Sequence, residues 1–278
     1  MPTLRALNAD IENTQSIKLI TQALGDIATL QIKATRKSVQ QNIIYFQEIT
    51  QLYRVVKGIA LKHKLETAAN QSKNGKTLLV LLTSNYHFYG GLDAELVSFY
   101  VQNLTKFPSA DSIVIGSSGI SLLEVMNELH NSKTLQFKKD EPSLEELSAL
   151  SKLVSPYSKV LVFHSKFETL LNQKPTISDI SEGNDNDANT DNKMNYILEP
   201  EISKMVGFFQ GQIFILLFQA IFLDAQIART SARMVAMNQA EDNADKMIKQ
   251  ERKELLHLRK GLINRRILET FAGMQNKN

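Results

Sequence analysis

Two stretches of the chain carry apolar residues at helical spacing. The first runs from Thr3 to about Glu66, with no proline after Pro2 and only Gly25 and Gly58 inside it. Apolar residues return every three or four positions: Ile17, Ile20, Leu24 and Ile27, then Ile49, Leu52, Val56 and Ile59. That stripe predicts an amphipathic helix of coiled-coil character. Between the two runs it loosens at Gln31, Thr35 and Lys37, so a strict heptad is not sustained, and this part faces either solvent or a polar collar of partners. The second stretch runs from Tyr196 to the C-terminus. Pro200 falls in its opening turn, where proline is tolerated, and no proline follows. It predicts one helix of roughly 70 to 80 residues, on the order of 110 Å at ~1.5 Å per residue. A globular core does not surround a helix that long, so part of it lies against another helix or inside another protein.

Between the two, the period changes. Thr77–Ser84 is a continuous apolar run, as expected of a strand buried on both faces. Ser112–Gly119 and Lys159–Phe167 read as two further strands. Asn85–Leu104 reads as a glycine turn leading into an amphipathic helix, and Leu144–Val154 is a second helix. Strands alternating with helices predict βαβ units and a small α/β domain over residues 76–177. Residues 178–195 are polar, acidic and rich in Asn and Asp, which predicts a mobile surface loop. Its DNDANTD run lacks the glycine and the terminal glutamate of a calcium loop.

Composition narrows the chemistry. The 278 residues are 43% apolar and carry a net charge of only +3. With no cysteine there is no disulfide, thiolate nucleophile or cysteine metal site, and five scattered histidines show no zinc spacing. The first residues form no apolar signal segment, so a cytosolic-side protein is expected. The turn HFYGGLD lacks the G-x-G-x-x-G of dinucleotide loops, and no lysine follows a glycine loop, so a tight turn is favoured over a phosphate site. Met205–Leu223 is uncharged and long enough to cross a membrane, but Gln210, Gln212 and Gln219 favour buried packing, with Gly207 and Gly211 allowing a close neighbour. Lys18, Lys33, Arg36 and Lys37 on the first helix, and Lys246–Arg266 on the second, form basic blocks. Interleaved acids and few aromatics argue against nucleic acid. No acid, base or nucleophile constellation appears, and no cofactor is expected.

One string is specific. ARMVAMNQAEDNA, Ala232–Ala244, resembles the A-R-M-x-A-M-x-x-A-T-x-N-A motif in the C-terminal helix of the gamma subunit of F-type ATP synthases. Glu241 stands at the motif's Thr. DIENTQSIKLITQAL, Asp10–Leu24, resembles the family's opening at Ile11, Ile20, Thr21 and Ala23, with Leu19 for Lys and Leu24 for Met. HFYGGLD resembles its G-L-C-G-G-L-N turn, with Asp93 for Asn, and GSSG stands at its G-x-K-G without the basic residue. NYILEP resembles its Y-x-x-E-P helix entry. Ala228 and Arg229 replace a usual Ser-Glu, Lys260 replaces Gln, Asn264 replaces Thr and Arg266 replaces Glu.

The resemblance implies a long antiparallel coiled coil of the N-terminal helix (1–66) and the C-terminal helix (196–278), plus a small central Rossmann-like α/β domain. It implies a single-copy rotor shaft inside a hexamer of alpha and beta ATPase subunits. An epsilon-type subunit and a membrane rotor ring would bind its foot, at the cytoplasmic face of the cell membrane. Partner contacts would fall at Leu24, Arg233, Arg259, Lys260 and Asn264, with an apolar bearing at Ile267 and Phe271. The departures from the family's pattern keep two alternatives open. One is a gamma-like shaft of a specialised ATPase that pumps no protons, as in wall-less gliding bacteria. The other is a helical scaffold without an ATPase partner.

Overall fold

A computed structural model describes residues 3–62, 74–129, 132–180 and 202–275. Its elements are, in order, α1 (Leu4–Lys62), β1 (Thr77–Leu82), α2 (Leu92–Leu104), β2 (Asp111–Ile115) and α3 (Ser117–Val125). There follow β3 (Ser132–Leu135), α4 (Leu144–Val154), β4 (Lys159–Phe167), β5 (Gln173–Asp179) and α5 (Ile202–Gln275). The structure falls into two units, one of residues up to 29 together with those from 233 onward, the other of residues 30–232.

In the first unit, α1 and α5 lie side by side and antiparallel. Leu4, Leu7 and Ile11 pack with Leu255 and Leu258. Further along, Lys18 Nζ is 2.7 Å from Asp245 Oδ1, and Thr29 Oγ1 is 3.7 Å from Met234 Sδ. The inward positions of α1 are Leu7, Ile11, Thr14, Lys18, Thr21, Gly25 and Ala28, spaced four and three alternately. On α5 they are Met237, Glu241, Ala244, Ile248, Glu251, Leu255 and Leu258, in the same rhythm. This is heptad spacing. The apolar stripe predicted at Ile17, Ile20 and Ile27 is not the seam: these three are 56%, 60% and 47% exposed. The seam instead mixes apolar side chains such as Leu7, Ile11, Ile248 and Leu255 with small, hydroxyl and charged ones. A Cβ on Gly25 would stand 3.8 Å from Met237 Cβ, so the helices run close there.

In the second unit, a five-stranded sheet has the order β3-β2-β1-β4-β5. The first four strands are mutually parallel, and β5 runs antiparallel to β4. Two strands were not foreseen. β3 is four residues long and largely polar, and β5 carries Pro175, which an edge strand tolerates because one side needs no N–H. β5 also takes in Ser178 and Asp179, the first two residues of the expected loop; residues 181–195 of that loop lie outside the described residues, as do Tyr196, Pro200 and Glu66.

Alternate residues of β1 serve opposite cores. Leu78, Val80 and Leu82 join Leu147, Leu150 and Val154 of α4 and Phe218, Phe222 and Ala225 of α5. Leu79 and Leu81 join Leu96, Val97 and Tyr100 of α2 and Leu123 of α3. Burying each large side chain contributes roughly 2 kcal/mol. The apolar run of α5 therefore covers the sheet from Phe214 to Ala225. Before that, Val206 packs with Tyr53 and Val56 of α1. Gly207 and Gly211 have no described atom within 4 Å of an added Cβ, so they serve no close approach there. Inside this unit, Ile32, Thr35, Asn42, Ile49, Tyr53 and Val56 are the buried positions of α1, and Val39 and Phe46 are half-buried.

The Gly116–Gly119 stretch begins α3 rather than ending a strand. Gly116 has φ +102°, and a Cβ on it would stand 2.5 Å from the Thr83 carbonyl oxygen. At Gly119 a Cβ would stand 2.5 Å from Thr83 Oγ1. These glycines let α3 settle on the end of β1. α4 starts with a capping box between Ser143 and Glu146, the hydroxyl and carboxylate each accepting a backbone N–H of the other residue.

Ala244 is 4% exposed in the seam. Ala244→Asp buries a charge there and is expected to destabilise the helical pair by about 3 kcal/mol. The check is the thermal melt of helical circular dichroism; an unshifted melt would show that Ala244 is not in the seam.

Candidate functional site

In the helical pair, polar side chains bridge the two helices. Lys18 reaches both oxygens of Asp245 at 2.7 and 2.9 Å, and Glu241 at 3.9 Å. The hydrogen bond to Asp245 holds the Lys18 amine above its ordinary value, and in return keeps the Asp245 carboxyl low. Gln22 donates to Glu241 Oε1 at 2.5 Å. Glu241, the residue standing at the family's Thr, is thus engaged by α1.

α1 begins opposite Leu258, and α5 continues to Gln275. Every residue from Arg259 to Phe271 is exposed. Leu262, Ile263, Ile267, Leu268 and Phe271 are between 47% and 68% exposed, beside the cations Arg259, Lys260, Arg265 and Arg266. Arg265 pairs with Glu269 along the helix at 3.0 Å. Of the expected contact residues, Arg259, Lys260, Asn264, Ile267 and Phe271 gather on this free end. Leu24 and Arg233 are half-buried and lie elsewhere in the pair. Arg233 is 26 residues before Arg259 on α5, roughly 40 Å along the axis.

The second unit holds a polar cluster that the sequence did not announce. Asp140, in the segment before α4, accepts from Ser84 Oγ at 2.5 Å, from the Asn85 backbone N–H at 2.7 Å and from Tyr89 Oη at 2.9 Å. Arg229 of α5 places Nε 3.8 Å from Asp140 Oδ2, with its side chain 3% exposed. The charge reversal noted at Arg229 therefore has a structural partner. Only its spatial neighbour explains it, and Asp140 is 89 positions away in the chain.

A line of Ser178, His164 and Asp224 lies nearby on β5, β4 and α5. His164 Nε2 is 2.9 Å from Ser178 Oγ, but Nδ1 is 3.9 Å from Asp224 Oδ2, too far for a hydrogen bond. Burial depresses the imidazole to about 4, helped by the charges of Lys166 and Arg229. So weak a base does not activate a hydroxyl at neutral pH; the His164–Ser178 hydrogen bond joins β4 to β5. Burial also raises the Asp224 and Asp93 carboxyls. Among the described residues no three potential metal ligands gather.

Two measurements follow from these buried groups. Arg229→Met leaves the Asp140 charge uncompensated and is expected to cost about 3 kcal/mol in urea unfolding, while adding Asp140→Asn recovers most of it; strictly additive losses would show that the two charges do not interact. For His164, the unfolded chain binds a proton near pH 6.5 and the folded chain only near 4. Its stabilising contribution is complete above pH 6.5 and falls by roughly 3 kcal/mol as the pH drops to 4. His164→Gln is expected to flatten that decline in unfolding curves taken across the window.

Comparison with known proteins places the whole chain. The family model described as ATP synthase matches residues 3–276. The ATP synthase gamma chain of Psychrobacter sp. (strain PRwf-1) is 24% identical over 291 residues, 98% of each chain. That of Buchnera aphidicola subsp. Acyrthosiphon pisum (strain Tuc7) is 25% identical over 288 residues, again 98% of each. Among solved structures, a chain of the Tetrahymena thermophila mitochondrial ATP synthase central stalk and c-ring is similar in fold. Its TM-score is 0.55 at 17% identity, covering 80% of this chain and 99% of that one. A chain of the Euglena gracilis mitochondrial ATP synthase OSCP/F1/c-ring assembly gives 0.54 at 14% identity, covering 88% and 93%. The match runs through both long helices and the sheet between them, and the chain belongs to the ATP synthase gamma-chain family.

Proposed function

We propose that this chain is the central rotor shaft of a rotary F-type ATPase or ATP synthase, and that the free end of α5 works inside a ring of alternating alpha and beta subunits. The observation that carries this reading is the run from Arg259 to Phe271, helical yet exposed on every residue. A helix with five large apolar side chains in water gains by burial in a partner. The apolar tip at Ile267 and Phe271 suits a bearing, where apolar contact slides without unpaired polar groups to hold it at one angle. Arg259, Lys260 and Asn264 lie one to three turns earlier and suit polar contacts with the moving arms of the catalytic subunits.

ATP chemistry then belongs to the partners. The shaft acts because it differs from side to side: each catalytic subunit meets a different surface at each angle, and its open and closed states respond differently to that surface. Leu24 and Arg233 are proposed as a second contact level, at the other end of the pair. The basic side chains favour acidic arms and set the angular profile of the potential. An epsilon-type subunit and a membrane rotor ring are the proposed partners of the α/β unit, at the cytoplasmic face of the membrane.

Purification of the chain at native level, with identification of what accompanies it, tests the reading. Two nucleotide-binding chains in about threefold excess with ATPase activity are expected; an eluate without them would sink the shaft and leave a scaffold. A rotor ring in the same eluate separates a proton-coupled machine from a specialised ATPase. Exposed charge contacts contribute up to about 1 kcal/mol each, so Arg259→Ala with Lys260→Ala is expected to lower rotation-coupled turnover roughly fivefold without changing the thermal melt. Unchanged turnover would count against these contacts.

A further inference from the structure

At the carboxyl ends of β1 and β2 an open cavity of about 430 Å³ lies between the segment Tyr86–Gly90 and the first turns of α2 and α3. In parallel α/β sheets this is the edge where ligands bind. A phosphate does not suit it. No lysine or arginine lines the cavity, and the amides that open α3 are taken within the protein. Ser117 N–H donates to Asn85 Oδ1 at 3.1 Å, Ser118 N–H to the Ser84 carbonyl at 3.0 Å and Gly119 N–H to Thr83 Oγ1 at 2.9 Å.

The lining offers the opposite chemistry. Asp93 is 8% exposed, and its Oδ1 has no hydrogen-bond partner among the described residues. Behind it, the guanidinium of Arg229 is ion-paired with Asp140 and is also close enough to Asp93 to act on its charge. Arg229 is thus shared between Asp140 and Asp93, and burial holds the Asp93 carboxyl above its ordinary value. Two of the lining aromatic side chains are exposed, Tyr86 at 49% and Phe88 at 66%. Ser117, Ser118 and Ser121 also line the cavity, and the Ser118 hydroxyl bonds the Asp93 carboxyl. Aromatic side chains, a buried carboxylate and hydroxyls lining one cavity match a long cationic side chain: rings attract the charge, the carboxylate offers an acceptor and the stem lies on apolar faces.

We infer that this cavity receives an arginine or lysine side chain from a partner protein, making the carboxyl edge of the sheet a docking point for a basic segment. The inference stands apart from the contacts proposed for the free end of α5, because it uses the second unit alone.

The test uses the full chain and N-acetyl-argininamide as the probe, with N-acetyl-norleucinamide as the uncharged control, followed by amide shifts in NMR. Saturable shifts are expected at Tyr86, Ala94, Ser118 and Ser121 with the arginine probe only. Asp93→Asn is expected to weaken binding about tenfold, the loss of a hydrogen bond to a charged group. Ser121→Lys, at an exposed position on the rim, supplies a competing cation and is expected to abolish it. Equal shifts from both probes, or unchanged binding in Asp93→Asn, would overturn the proposal. In the assembled complex, the chain has no cysteine, so Ser121→Cys carries a single photoreactive label. Adducts on a peptide at or next to Lys or Arg of another subunit are expected; no adduct, or adducts confined to acidic segments, would overturn it. Loss of the nucleotide-binding chains from the eluate would bear on the shaft reading and leave the probe titration unaffected.

Discussion

A parallel sheet is apolar on both faces and folds only when both are covered. Here α2 and α3 cover one face, and α4 is too short to cover the other alone. The remainder is closed by Phe214, Phe218, Phe222 and Ala225 of α5. This requirement places the middle of α5 on the sheet and puts Arg229, two turns beyond Phe222, within reach of Asp140. The charge pair then ties the helix to the segment before α4 and, through Ser84, Asn85 and Tyr89, to the carboxyl end of β1. Aromatic packing and this buried pair together fix α5 to the sheet.

Where α5 pairs with α1 in the first unit, the demands change. A sheet face wants bulk, whereas a helical pair at close distance wants small side chains. The seam accordingly uses Gly25, Ala28 and Ala244, with Thr14 and Thr21 tolerated because helix carbonyls accept their hydroxyls, as Lys18 O does for Thr21. Large apolar residues of the same helix, Ile17 and Ile20, are left outside. Such a surface favours burial by a further partner over a free existence in water.

These two environments explain what was legible in the sequence. The three apolar strands, α4 at Leu144–Val154 and the two long helices were visible because burial there coincides with hydrophobicity. The seam of α1 was not, because periodicity weighs Ile17 and Ile20 above Gly25 and Ala28, and the small residues are the ones inside. β3 and β5 were missed because edge strands half in water carry polar residues and even Pro175. The free end of α5 was legible as a set of residues, although nothing in its period distinguishes an exposed apolar stripe from a seam. The Asp140–Arg229 pair joins distant positions and leaves no local pattern at all.

The division of labour along α5 also bears on the order in which the protein can be made. The five strands leave the ribosome before Phe214, Phe218 and Phe222, so the face that α4 covers only in part waits for α5 while the next segment is translated. The part of that face left open is the surface that chaperones would guard. α1, by contrast, emerges first with Thr14, Lys18, Thr21 and Asn42 on its inward side. Leu7 and Ile11 share that side, so the seam of the first helix stays open until its partner is made last.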